Sequence, residues 1–313
     1  MAKVIAIGSP VVDYLTFVRT LDFPKGGMIA TSYEDFKSLY KNYKWTLCSG
    51  GSSTNTLKGL HHLGHDCTII GKIGLDEAAK YFIRHTHELG LKTELIYSET
   101  PSTQALVFIT PEGERTFRTF LGAGAELKPT DLSAAWFKDA QLLHMEGYIF
   151  NAEAVAEKAA SHVSSNTLIS LDLSSYETVI AHHKRLIPFI TDHVDILFAN
   201  RLEAYELTHD NPEKSAKLLQ DLAPVIIITD TDKGCYVGSG GKVIHVPVYP
   251  INPLDTTGAG DIFASGFLHG KLKGRNLEDC AQMGHRLARE VIQVIGTELP
   301  PPTWRTLQNM GFF

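Results

Sequence analysis

A run of small residues, Asp255-Thr256-Thr257-Gly258-Ala259-Gly260-Asp261, leads straight into the apolar, helix-like stretch that begins Ile262-Phe263-Ala264. Where a helix starts, its first amides have no intrahelical acceptor and the positive end of the helix dipole lies behind them. The amides of Gly258, Ala259 and Gly260 are therefore expected to converge on one point and hold a phosphate there. Asp261 at that point is electrostatically out of place unless it takes a proton from the group that reacts with the phosphate. The plainer alternative is that Asp261 only caps the helix, a common use of aspartate.

Three further clusters have both a chemical and a structural reading. In Ser49-Gly50-Gly51-Ser52-Ser53-Thr54-Asn55, paired glycines let the backbone approach a ligand, and an asparagine one turn into the next helix can bond a hydroxyl. The structural reading is a tight helix start. Asn200-Arg201-Leu202-Glu203 follows a strand and fits a capping box, or an amide and a carboxylate that orient magnesium and its waters on a nucleotide phosphate. Both can hold together. The segment from Thr229 to Gly234 is either a ligand-facing loop at the carboxyl end of a strand or a plain hairpin turn. His61 and His65, four apart, read as an exposed helix face more readily than as metal ligands.

Other phosphate motifs fail. Gly266-Phe267-Leu268-His269-Gly270-Lys271 is one residue short of a P-loop and continues with Leu272, and the glycines after the first strand lack dinucleotide-binding spacing.

These residues need a scaffold, and the pattern supplies an α/β one. Short apolar runs at 4–7, 68–71, 142–145, 167–171, 196–199 and 225–229 predict strands, and 53–63, 77–89, 152–162, 201–208 and 211–222 predict helices. Near-continuous apolar strands such as Val225-Ile226-Ile227-Ile228 predict a parallel sheet covered on both faces. Residues 103–121 break the rhythm as a hairpin with a turn at Pro111-Glu112-Gly113-Glu114, residues 11–18 read as a further strand, and 24–47 is too long for an ordinary connection. Together they predict a discontinuous lid.

The bulk composition excludes several partners. Lys and Arg total 29 against 35 Asp and Glu, a net charge of −6, which argues against nucleic acid or anionic lipid. Four cysteines, Cys48, Cys67, Cys235 and Cys280, form no C-x-x-C pair and no zinc spacing, as suits a reducing cytoplasm. The start of the chain reads as a buried strand, and no apolar run is long enough to span a membrane.

In order along the chain, Gly50-Gly51 with Asn55, Gly71-Lys72-Ile73-Gly74-Leu75-Asp76, Asn200-x-x-Glu203 and the run Asp255 to Asp261 resemble the motifs of the ribokinase-like (PfkB) carbohydrate and nucleoside kinase family. The resemblance implies one kinase domain over 1–313, a three-layer α/β/α core around a mostly parallel sheet, and a small β-sheet lid from about 11–47 and 100–121. It also implies ATP-dependent phosphorylation of a hydroxyl, with magnesium (Mg2+) as cofactor. Asp261 matches the family's catalytic base, and Gly258, Ala259 and Gly260 its anion hole. Asn200 and Glu203 match the magnesium and phosphate positions. Asp13, Gly50, Gly51 and Asn55 match acceptor contacts, and Thr229, Gly234, Thr257, Gly258 and Gly260 match ATP contacts. Glu146 falls near a sugar-contacting glutamate of ribokinases. The chain departs from the family's Thr-x-Gly nucleotide loop by carrying Thr231 where glycine stands, and Asp255 with Thr257 lies where some members bind a monovalent cation (K+).

The excursion before Gly50 and the segment 113–123 look like the adenosine-kinase-like branch, which implies a nucleoside or ribose-type acceptor phosphorylated at its primary CH2OH. The alternatives are a fructokinase-like enzyme, a phosphosugar kinase with Arg115 and Arg118 as added cations, or a catalytically silent sugar or nucleoside sensor. Arg115 and Arg118 also read simply as surface charges of the hairpin. The lid allows a homodimer.

Overall fold

A computed structural model of the chain describes residues 1–21, 27–111 and 115–309. In chain order its strands are β1 (Lys3–Ile7), β2 (Val11–Phe17), β3 (Met28–Ala30), β4 (Thr46–Gly50), β5 (Asp66–Ile73), β6 (Lys92–Tyr97), β7 (Thr103–Ile109), β8 (Arg115–Phe120), β9 (Leu142–Glu146), β10 (Leu168–Asp172), β11 (Ile196–Asn200), β12 (Val225–Thr229), β13 (Cys235–Ser239) and β14 (Lys242–Val246). The helices are α1 (Tyr33–Tyr40), α2 (Ser52–His62), α3 (Glu77–Glu88), α4 (Ala134–Phe137), α5 (Val155–Ala160), α6 (Tyr176–His193), α7 (Arg201–Thr208), α8 (Pro212–Leu218), α9 (Ala259–Leu272), α10 (Leu277–Val291) and α11 (Pro301–Asn309).

The larger sheet has the order β14-β13-β12-β11-β10-β9-β1-β5-β6 and is parallel except for the β13–β14 hairpin at one edge. Side chains alternate across it. Ile226 and Ile228 enter a core with Ile5, Leu143 and Leu171, whereas Val225 and Ile227 enter a second core with Val4, Leu142 and Phe198. One core is completed by Val155 of α5 and Leu186 of α6, the other by Leu57 of α2, Phe82 of α3 and Phe267 of α9, which gives the three layers. The chain leaves β1 toward β5 and returns to β9 on the other side, so the order reverses between β1 and β9. Open α/β sheets bind ligands at such a point, outside the carboxyl ends of the strands.

A second sheet, ordered β3-β8-β7-β2-β4, stands over that end. Its inner face carries Leu15, Ala105, Val107 and Ile109, and its outer face carries Val12, Tyr14, Leu106 and Phe108. The ring of Tyr14 meets those of Phe36 and Tyr40 on α1, and Trp45 packs on Tyr40 and Phe108. The long excursion thus lays a helix on the outer face of the small sheet. Residues 22–26 of that excursion and residues 112–114 of the hairpin turn lie outside the described residues.

The structure departs from expectation in several places. α6 forms where no helix is expected, because Pro188 in its interior disguises the helical pattern. α5 begins only at Val155, after a left-handed Ala154. His65 is neither on an exposed helix face nor part of a metal pair with His61. It lies beyond the end of α2, buried, with Nε2 2.9 Å from Nδ1 of His269.

Candidate active site

Between the two sheets lies a cleft of about 650 Å³. Ser9, Glu146, Asp172, Asn200 and Thr229, at the carboxyl ends of β1, β9, β10, β11 and β12, form its floor. Asp13, Ala105, Arg115 and Phe117 descend from the small sheet, and Gly51, Asn55 and the residues from Thr256 to Asp261 close the side.

The small-residue turn starts a helix as expected, although the Ala259 amide already donates to the Thr256 carbonyl at 3.3 Å. Gly258 takes a left-handed conformation (φ 67°) and is the N-cap of α9, so Ala259, Gly260 and Asp261 supply the first helical amides. Asp261 is therefore not the cap. Its Oδ1 accepts from Ser52 Oγ at 2.7 Å and its Oδ2 from Asn55 Nδ2 at 2.9 Å, both from the first turn of α2. Burial pushes the Asp261 pKa above the ordinary carboxylate range, opposed by those hydrogen bonds and by Arg115 and Lys58.

Asp255 anchors the turn. Its Oδ1 accepts from Thr257 N (2.8 Å) and Thr257 Oγ1 (2.5 Å), and its Oδ2 from Gly296 N (2.8 Å). Arg115 approaches from β8, with Nη2 2.9 Å from the Thr256 carbonyl oxygen and Nε 3.7 Å from Asp255 Oδ1. The surface-charge reading of Arg115 is thereby corrected. Arg118 is corrected as a pocket cation: strand alternation puts Arg115, Phe117 and Thr119 on the cleft wall but not Arg118, which bonds the Phe117 carbonyl.

The acceptor candidates divide. Asp13, Gly51 and Asn55 line the cleft; Gly50 does not, but a side chain there would collide with the Asp13 carboxylate, so glycine seats Asp13. Burial raises the Asp13 pKa to about 7, against the pull of Lys58 and Arg115. Glu146 is only 1% exposed, and its two oxygens accept from Ser9 N (2.8 Å) and Ser53 N (2.9 Å). It clamps β1 to α2 at the floor of the cleft, which it still lines.

At the end of β11, Asn200 and Glu203 complete the capping box. Asn200 Oδ1 accepts from Leu202 N and Glu203 N, and Glu203 Oε2 accepts from Asn200 N at 2.8 Å. Both residues also line the cleft. Burial and then the charge of Asp172 raise the Glu203 pKa, and burial with the charges of Asp261 and Glu146 raises that of Asp172. Asp172, Glu203 and Asn200 line the same cleft and offer oxygen atoms of the hard kind that magnesium takes. Thr229 and Thr257 line the cleft as expected, but Gly234 does not. With φ 98° and the Val246 carbonyl where a side chain would stand, Gly234 serves the strand hairpin. Asp172, Ser52 and Lys58 escape the sequence reading; only the position of Asp172 at the end of a predicted strand offers a signal.

An α/β sheet with a small sheet over its carboxyl edge, an anion turn at a helix start and a carboxylate held inside it define a phosphotransferase acting on a hydroxyl. Comparison with known proteins agrees. The family described as pfkB family carbohydrate kinase matches residues 27–304. A probable sugar kinase from Rhizobium etli superposes with a TM-score of 0.91 at 29% identity, covering 100% of this chain and 99% of that one. The adenosine kinase of Sinorhizobium meliloti does so with a TM-score of 0.91 at 28% identity, covering 99% of each. A nucleoside kinase of Methanocaldococcus jannaschii is 26% identical over 97% of this chain and 95% of its own length. The chain belongs to the pfkB family of carbohydrate kinases, and its fold is the ribokinase-like one.

Proposed function

We propose that this kinase transfers the γ-phosphoryl group of ATP to the primary hydroxyl of a nucleoside or ribose-type sugar, with Asp261 as general base. The observation that carries the reading is the placement of Asp261: it caps nothing, and Ser52 and Asn55 hold its carboxylate beside the first amides of α9 in the cleft. The acceptor oxygen attacks the γ-phosphorus and its proton passes to Asp261, while the bond to the bridging oxygen breaks and ADP departs. A base with a raised pKa is the stronger proton acceptor near neutral pH. The helix start, its dipole and Arg115 meet the charge on the transferring group.

Asp172, Glu203 and Asn200 would hold magnesium through its waters, and the metal when bound neutralises phosphate charge. Potassium is not required in this reading, since both Asp255 oxygens are engaged and Arg115 adds a fixed positive charge. Equal turnover in potassium and in tetramethylammonium is expected.

Asp13 and Asn55 are placed for ribose hydroxyls, and Val11, Ala105, Phe117 and Leu121 offer an apolar wall to a base. Relatives named as nucleoside and adenosine kinases favour the same acceptor. The small sheet, with segments 11–47 and 100–121, acts as the lid of a single kinase domain. Because α1 covers its outer face, a lid-mediated homodimer would have to use the β3 or β4 edge. An ADP-release assay with adenosine, inosine, guanosine, ribose, fructose and their monophosphates should give the highest kcat/KM on a nucleoside. A preference for fructose or a phosphosugar would overturn the acceptor, and binding without turnover in Mg-ATP would make the chain a sensor.

A further inference from the structure

Lys58 lies on α2 one turn beyond Asn55, and its side chain is only 3% exposed. A buried ammonium is costly unless each proton finds an acceptor. Here all three do: Nζ donates to the Ser49 carbonyl at 2.5 Å, Thr297 Oγ1 at 3.3 Å and Glu298 Oε1 at 3.0 Å. The other Glu298 oxygen lies 3.4 Å from His85 Nε2, and His85 Nδ1 lies 3.0 Å from Ser49 Oγ. Ser49, Lys58, Glu298 and His85 thus close a ring that joins β4, α2, α3 and the segment after Gly296.

That ring ends on the base. Thr297 Oγ1 donates to Asn55 Oδ1 at 3.0 Å, which leaves Asn55 Nδ2 to donate to Asp261. An asparagine amide can otherwise turn over and present its oxygen. With Oδ1 engaged by Thr297, only one orientation satisfies both ends. The same threonine sets the anion turn, because its Cγ2 lies 2.5 Å from where a Gly258 side chain would begin, and its neighbour Gly296 bonds Asp255.

We propose that Lys58, Thr297 and Glu298 are positioning residues that fix the Asn55 amide, and through it the Asp261 carboxylate, relative to the anion turn. None of the three lines the cleft. Lys58 clamps the segment 297–298 against α2, the Thr297 hydroxyl orients Asn55, and Glu298 balances the Lys58 charge. Sequence patterns do not reveal the set, since its members lie up to 240 residues apart. The proposal rests on Asp261 being the base.

Two substitutions at Thr297 separate orientation from packing. Thr297→Val keeps a methyl against Gly258 and removes the hydroxyl, whereas Thr297→Ser keeps the hydroxyl and removes the methyl. On whichever acceptor of the panel the wild type phosphorylates best, Thr297→Val should lose about tenfold in kcat with KM for ATP within twofold, while Thr297→Ser stays near wild type. The opposite ranking, or equal kcat in folded proteins, overturns the proposal. Lys58→Met adds a second readout. Asp261 faces Lys58 and Arg115 as cations and the carboxylates of Asp13, Glu146, Asp172 and Glu203 as anions. Removing one cation should move the acid limb of kcat to higher pH, and an unmoved limb in a folded Lys58→Met protein counts against it. If Lys58→Met does not fold, the Thr297 pair decides. Failure of the acceptor reading shows separately in the wild-type panel, and failure of the Asp261 reading in Asp261→Asn.

Discussion

Arg115 and Thr256 join the small sheet to the turn before α9: the guanidinium of one donates to the carbonyl oxygen of the other over 2.9 Å, across 141 residues of sequence. The small sheet and the small-residue turn are thereby held together, and under the proposed function the same cation would face the transferring charge. Arg115→Met should lower kcat by about 10²–10³, the usual loss when a donor to transition-state charge is removed. Arg115→Lys should recover only part, because an ammonium cannot span Thr256 and Asp255 as the planar fork does. Steady-state kinetics at saturating ATP measure both, and an effect on acceptor KM alone would count against this role.

Asp261→Asn removes the proton acceptor and keeps the shape. A loss of about 10²–10⁴ in kcat is expected, with little change in either KM. The wild-type profile carries a sign as well. A base must be ionised, and burial raises the Asp261 pKa, so kcat should climb with pH along a limb displaced above ordinary carboxylate values. That limb should be missing from the residual activity of Asp261→Asn. Turnover within a few-fold of wild type would falsify the assignment.

The same burial makes stability depend on pH in a way that can be signed. Asp13 and Glu146, ordinarily at 3.8 and 4.5, are raised to about 7, so between those limits the folded protein holds protons that the unfolded chain has released. Each therefore costs stability as pH rises through that interval. His65 and His269 act oppositely: burial lowers both from 6.5 to about 4, and stability falls as pH drops through that range. Between pH 8 and 6.5 the raised carboxylates, Asp172 and Glu203 included, outweigh the histidines, which begin to protonate in the unfolded chain only at the lower edge, so the nucleotide-free, metal-free protein should melt higher at pH 6.5 than at pH 8. Calorimetry across that range measures it, and Asp13→Asn should flatten the slope.

The fold was legible because hydrophobic alternation is local. The expected strand at 225–229 and helix at 201–208 match β12 and α7 exactly in their limits, while α6 was hidden by Pro188. The turn that starts α9 was legible for a similar reason, since Gly258, Ala259, Gly260 and Asp261 are adjacent in sequence. Illegible were the long-range groups: Arg115 reads as a hairpin charge until the sheets are stacked, and Lys58 as a polar helix position until the segment after Gly296 lies on it. Glu146 shows the converse, a residue that lines the cleft but whose two oxygens are engaged by backbone amides.

Thr231 stands where the resemblance implies glycine, and its backbone is left-handed with φ 49°. A β-branched residue pays about 1–2 kcal/mol for that conformation. Thr231→Gly removes the steric cost but adds unfolded-chain entropy, which leaves a net gain of about 0.5–1 kcal/mol. A rise of about 2 °C in Tm is expected, with KM for ATP little changed. A lower Tm would mean that the Thr231 side chain contributes contacts that outweigh the strain.

Gly260 presents the opposite situation, a glycine with space around it. A side-chain carbon there meets nothing within 4 Å, so Gly260→Ala should fold and melt like wild type. Gly260 lines the cleft at the start of α9, where the proposed function puts the phosphate. The methyl should hold the transferring group away from the amides, and because those amides act most strongly on transition-state charge, kcat should fall more than KM rises. A loss of about tenfold or more in kcat at unchanged Tm is expected. Melting curves and saturation kinetics on the same preparation separate the cases: a change confined to KM would place Gly260 in ground-state binding, and a fall in Tm would show that the position is structural.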